Sequence, residues 1–108
     1  MTGPSNCKVI GRWRIFASDV WDENYLDMVG PATLVIGADG YGELAFGCLQ
    51  ATLELEYGRN TVFFRWAGFD EGTELTGSGS AELGHDASLE MDLTFDDGDD
   101  VLLTARRE

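Results

Sequence analysis

Apolar and polar side chains alternate through most of this chain, and most cleanly from Gln50 to Tyr57. There Ala51, Leu53, Leu55 and Tyr57 fall on one face and Gln50, Thr52, Glu54 and Glu56 on the other, the period of a strand with one buried side. The same period predicts a first strand over Cys7–Phe16. In it Cys7, Val9, Gly11, Trp13 and Ile15 oppose Lys8, Arg12 and Arg14, with Ile10 and Phe16 out of pattern. Further strands are predicted over Ala32–Gly37, Tyr41–Cys48, Thr61–Gly68, Glu74–Leu83, Ser88–Phe95 and Val101–Arg107. Cys48 joins Gly42, Leu44 and Phe46 on the inward face of its strand. Turns rich in Gly, Asp and Asn punctuate the series, and a longer loop is expected over Phe69–Thr73. The inward set of Glu74–Leu83 is small, with Gly77, Gly79 and Ala81, and leaves room for a large neighbour such as Trp13 or Trp66.

The segment Trp21–Pro31 departs from this rhythm. Ser18 or Asp19 can cap a helix, and Asp22 and Glu23 suit its first turn. Trp21, Tyr25, Met28 and Val29 form one apolar stripe at helical spacing, and Gly30-Pro31 supplies a stop. A helix of about ten residues is predicted, too short to stand alone, so its Trp21/Tyr25 face must dock on the sheet. Asp27 then sits in the last turn, where the helix dipole disfavours an acid by about 0.3–1 kcal/mol. Pairing with Arg12, Arg14 or a C-terminal arginine is the expected compensation. Eight short strands and one helix after the first predict an all-β fold, an eight-stranded antiparallel up-and-down barrel. Residues 1–6 read as a flexible tail and 7–108 as one domain.

Composition adds charge to this picture. The 108 residues hold twenty Asp and Glu against seven Lys and Arg, a net charge of −13. Between Trp66 and Ala105 there are eleven acids and no Lys or Arg. Such a field repels phosphate, which argues against direct nucleic-acid binding and for a basic protein partner. With 44% apolar residues the chain can build a core, yet no apolar run approaches the ~20 residues of a membrane span. The first six residues lack the basic and apolar regions of a signal peptide, so the cytoplasm is the expected compartment, with Cys7 and Cys48 as buried thiols.

Catalytic chemistry finds little footing. The single histidine, His85, lies in a polar turn, and Ser78, Ser80 and Ser88 lack the setting of an activated nucleophile. Asp96, Asp97, Asp99 and Asp100 surround Gly98, and their oxygens suit Ca²⁺ or Mg²⁺, but the run lacks the spacing of an EF-hand loop. It reads as an Asp-Gly hairpin, and no metal, cofactor or catalytic residue is expected. Tyr41, Phe63 and Phe69 are aromatics expected at the surface. With Asp70, Glu71, Asp96, Asp97, Asp99 and Asp100 they form the candidate partner-binding set.

Two resemblances extend the reading. Gly11-Arg12-Trp13 on the first strand and Ala105-Arg106-Arg107 on the last resemble the calycin (lipocalin-like) barrels, whose first-strand tryptophan packs under an arginine of the final strand at the closed end. That implies a calycin-like barrel with Trp13 under Arg106 or Arg107. The resemblance carries a structural role for Trp13 and Arg106, while Trp21, Tyr25 and Asp27 would brace the helix. Compared with secreted lipocalins the chain is shorter and shows no signal peptide. The longer string, from Trp21-Asp22 through Tyr25-Leu26-Asp27 and Gly30-Pro31-Ala32 to Gly98-Asp99-Asp100, is similar to a group of small, uncharacterised bacterial proteins. It implies a bacterial or phage-type cytoplasmic domain and no particular reaction. The functional expectation is a non-enzymatic acidic module that docks on a basic protein. It would act as an inhibitor or adaptor of nucleic-acid-handling machinery, with acids standing in for phosphates. The alternative is a small-ligand-binding barrel, and the oligomeric state is not legible.

Overall fold

Seven hairpin connections fold the alternating strands back on one another until the last meets the first. The structure is a computed structural model that describes residues 7–108; the expected tail, residues 1–6, lies outside the described residues. The strands are β1 (Gly11–Ser18), β2 (Thr33–Ile36), β3 (Tyr41–Phe46), β4 (Leu49–Tyr57), β5 (Thr61–Asp70), β6 (Thr73–Leu83), β7 (Leu89–Phe95) and β8 (Asp100–Arg107). They form a closed antiparallel barrel in sequence order, with α1 (Glu23–Leu26) between β1 and β2. Closure leaves no unpaired sheet edge. The inward faces fill the interior with Trp13, Ile15, Leu34, Leu44, Leu53, Phe64, Trp66, Met91 and Leu103, all buried. Burying one such large side chain contributes about 1.5–3 kcal/mol. No polar or charged residue is buried among the described residues.

The small inward residues of β6 have a definite purpose. A Cβ on Gly77 would sit 2.6 Å from the Trp66 indole, and one on Gly79 would sit 2.7 Å from the Phe64 ring. The wall is thinned where two aromatics of β5 lie against it.

The chain's turns divide the barrel into two ends. At the closed end Cys7–Ile10 do not extend β1 as expected. They fold across the opening, with Val9 buried and its carbonyl accepting the Trp13 indole N–H at 2.8 Å. Arg107 lies over Trp13, its guanidinium carbon 4.2 Å from the ring centre, and donates to the carbonyls of Lys8 and Ile10 at 2.6 and 2.9 Å. Arg106, expected as a candidate for that place, instead stacks on the half-exposed Phe16 at 4.6 Å. Phe16 keeps the alternation and faces outward with Arg12, next to the bulge at which the β1–β8 register slips between Ile15 and Ala17.

The helix is the largest departure from expectation. It has four residues rather than about ten, and Met28 and Val29 are exposed while Leu26 is fully buried. Asp22 caps it, accepting the Tyr25 N–H at 3.0 Å, while Ser18 Oγ accepts the Val20 and Trp21 amides instead. The helix cannot continue because Asp27 is drawn to the barrel wall. One carboxylate oxygen accepts from Arg14 at 2.7 Å and the other from the Ala32 amide at 3.0 Å. Leu26 plugs the open end, and its carbonyl accepts the Gly47 N–H at 2.8 Å.

Two loops also differ. Phe69 and Asp70 belong to β5 and Thr73 to β6, so the expected five-residue loop is the two-residue turn Glu71-Gly72 with φ of 51° and 84°. Cys48, expected inward, is only partly covered. Gly47 adopts φ 55° and ends the alternation of β3 one residue before it.

Candidate functional site

Connections at the open end carry an unusual sequence. The segments 19–32, 47–48, 71–72 and 96–99 hold eight of the twenty acids and no Lys or Arg. The closed-end segments 7–10, 37–40, 58–60, 84–88 and 108 hold two bases and three acids. The barrel is therefore polar along its axis, and the open end is its negative pole.

A cavity of about 380 Å³ opens at that pole. Strand ends and the helix position its walls. Trp21 and Tyr25 come from the α1 segment, Phe46 from the end of β3 and Phe95 from the end of β7. Trp21 stacks on Tyr25 with ring centres 5.1 Å apart and 23° between planes, and lies 5.3 Å from Phe46. Phe95 meets Trp66 edge-on at 5.0 Å, which fixes it from below. Tyr25 packs against Gly47, where a Cβ would come within 2.8 Å of its ring. Asp70, Asp97, Asp99 and Asp100 supply the polar part of the lining.

These carboxylates are held to different degrees. Asp70 ends β5 and makes no side-chain hydrogen bond or ion pair among the described residues. Asp97 accepts the Asp99 amide at 3.4 Å, and Asp100 accepts the Thr94 hydroxyl at 3.2 Å. The local field is negative. Burial first, then the charges of Asp70, Cys48 and Glu71, push the Tyr25 phenol above its ordinary value. Glu71 accepts the Cys48 thiol at 3.4 Å, and that contact, with desolvation and the Glu71 and Asp70 charges, raises the thiol as well.

The candidate partner-binding set thus splits. Asp70, Asp97, Asp99 and Asp100 meet at the mouth beside Trp21 and Tyr25, and Glu71 borders it. Asp96 turns to the outer wall, where it accepts from Thr76 at 2.7 Å and Arg65 at 3.4 Å. Tyr41, Phe63 and Phe69 are exposed on the outside of β3 and β5, each lining a separate surface depression of about 370 Å³. Sequence reading missed Phe46 and Phe95 at the site because inward aromatics read as core. Their signal is position, since each is the last residue of its strand and so reaches the rim.

A second carboxylate grouping lies on the outside of β7 and β8. Asp92 faces Asp100 and Asp19, and one of its oxygens is buried without a partner. The neighbouring Asp100 carboxylate first, then desolvation, then the Asp19 charge, raise its pKa. Among the described residues no three His, Cys, Asp or Glu side chains are placed to hold a metal ion. No helix among the described residues is long and apolar enough to cross a membrane. Compared with protein-family models and with curated proteins, the chain shows no significant match to either.

Proposed function

We propose that this protein is a cytoplasmic, non-enzymatic binding module that docks its acidic open end on a basic protein. In that role it acts as an inhibitor or adaptor, its carboxylates occupying places that nucleic-acid phosphates would take. The axial segregation of charge carries the reading, with eight acids and no base gathered in the open-end connections against two bases and three acids at the closed end. Acids needed only for solubility would be spread over both ends. Complementary fields of this kind accelerate encounter and select partners by sign. The small-ligand reading is the weaker one. The interior is filled by Trp13, Phe64, Trp66 and Met91, and the cavity sits at the mouth rather than through the core.

An oligolysine peptide tests the docking surface. Its affinity should fall steeply with salt, and Asp97→Lys/Asp99→Lys should lower it far more than Glu56→Lys/Glu90→Lys on the opposite half of the barrel wall. Binding that ignores salt, or that responds equally to both pairs of changes, would refute the proposal.

A further inference from the structure

The mouth cavity has two kinds of wall, and only one class of ligand satisfies both. Its volume, about 380 Å³, lies near the lower end of the roughly 300–1,000 Å³ typical of ligand pockets. That is room for one side chain or small head group. Trp21, Tyr25 and Phe46 form a continuous aromatic wall beside α1, and Phe95 stands four strands away in the barrel order, across the mouth. Asp70, Asp97, Asp99 and Asp100 complete the lining, and no base contributes to it.

A neutral apolar ligand would cover these carboxylates and strip their water without replacing it. An anion would be repelled by all four. A cation gains twice, from the negative faces of the aromatic rings and from the carboxylates. Between the two protein cations, guanidinium fits better than ammonium. It is planar, more weakly hydrated, stacks on aromatic faces and can engage a carboxylate through two parallel N–H bonds. The closed end of this barrel already pairs guanidinium with aromatic rings twice, at Arg107–Trp13 and Arg106–Phe16. Asp70 is the strongest candidate anchor, because a strand end holds it in place and its oxygens are unengaged by other described side chains.

The geometry points to the mouth cavity as the seat of one arginine side chain presented by the basic partner, its guanidinium held between the Trp21/Tyr25/Phe46 wall and Asp70 with the Asp97–Asp100 rim. This rests on the reading of the open end as the docking surface and names the residue class that seats there. The rest of the rim then steers the approach, while the cavity supplies selectivity.

The probe is N-acetyl-arginine amide, titrated into isotopically labelled protein while the indole N–H signal of Trp21 is followed by NMR. The Trp21 signal should shift saturably with a dissociation constant in the millimolar range, about 4 kcal/mol of binding. The buried Trp13 signal at the other end should stay still. The neutral isostere N-acetyl-citrulline amide should leave Trp21 unshifted, and the lysine amide should bind more weakly. Asp70→Asn should weaken arginine binding about 5-fold, the effect of one charge-assisted contact, and Glu90→Gln should change nothing. A silent Trp21, citrulline or lysine amides binding as well as arginine, or an unaffected Asp70→Asn variant would each overturn the arginine assignment. Oligolysine separates the two levels. If it still docks on the open end while arginine amide is silent, only the cavity assignment falls; if it fails too, the docking surface falls with it.

Discussion

Arg107 lies flat over Trp13 at 4.2 Å and at the same time ties down the carbonyls of Lys8 and Ile10. One side chain thus joins the last strand, the first strand and the segment that covers the closed end. Arg107→Ala should lower stability by about 1–3 kcal/mol in urea denaturation, less than the full sum of a cation–π contact and two charge-assisted hydrogen bonds because the guanidinium is exposed to water. Arg106→Ala removes only an exposed stack on Phe16 and should cost no more than about 1 kcal/mol.

Asp27 and Arg14 fasten the α1 segment to β1 at 2.7 Å. Both are partly solvated, so a double-mutant cycle should give a coupling of about 0.2–1 kcal/mol that shrinks in high salt. Asp27→Ala should cost more than Arg14→Ala, because it also deprives the Ala32 amide of its acceptor.

Gly77→Ala places a methyl group against the Trp66 ring and the Thr94 carbonyl. Overpacking of this kind costs about 1–3 kcal/mol, read as a fall in the thermal midpoint. Trp66→Leu in the same chain should recover part of the loss, since the two residues share one space.

Asp92→Asn should have a pH-dependent effect with a definite sign. The Asp92 pKa is raised in the folded protein, so its contribution favours folding below the unfolded value near 3.9 and is lost as pH rises through the folded value. At neutral pH the variant, free of the like charge diagonal to Asp100 across the β7–β8 ladder, should be more stable by about 0.2–1 kcal/mol. That advantage should vanish on acidification. Denaturation curves of both proteins at a series of pH values measure it.

Thiol titration should distinguish the two cysteines, which are unpaired and placed differently. Cys48 is accessible and should react in the native protein, slowly because its thiol is held protonated beside Glu71. Cys7 is buried at the closed end and should react only after unfolding.

Period-two alternation and the Asp-Gly turns made the strand order legible, because both are local. What escaped was set by contacts across the barrel or by single backbone angles. The α1 helix stops early because Asp27 turns to Arg14 on β1, 13 residues back, and to the Ala32 amide, 5 residues on. Cys48 misses the interior because Gly47 takes a positive φ. At the mouth the acids could be read from composition. Phe46 and Phe95 could not, since a core aromatic and a rim aromatic look alike until the strand ends are known.

The barrel's single long-range seam sets how the molecule must assemble. Every other strand pairing joins neighbours in sequence through a short or moderate connection, and loop closure there costs little entropy. Joining β8 to β1 brings together residues such as Ile10 and Arg107, 97 apart in the chain. The largest single loop-closure cost of the fold therefore falls at one junction, and changes that prepare that junction before it closes should speed folding.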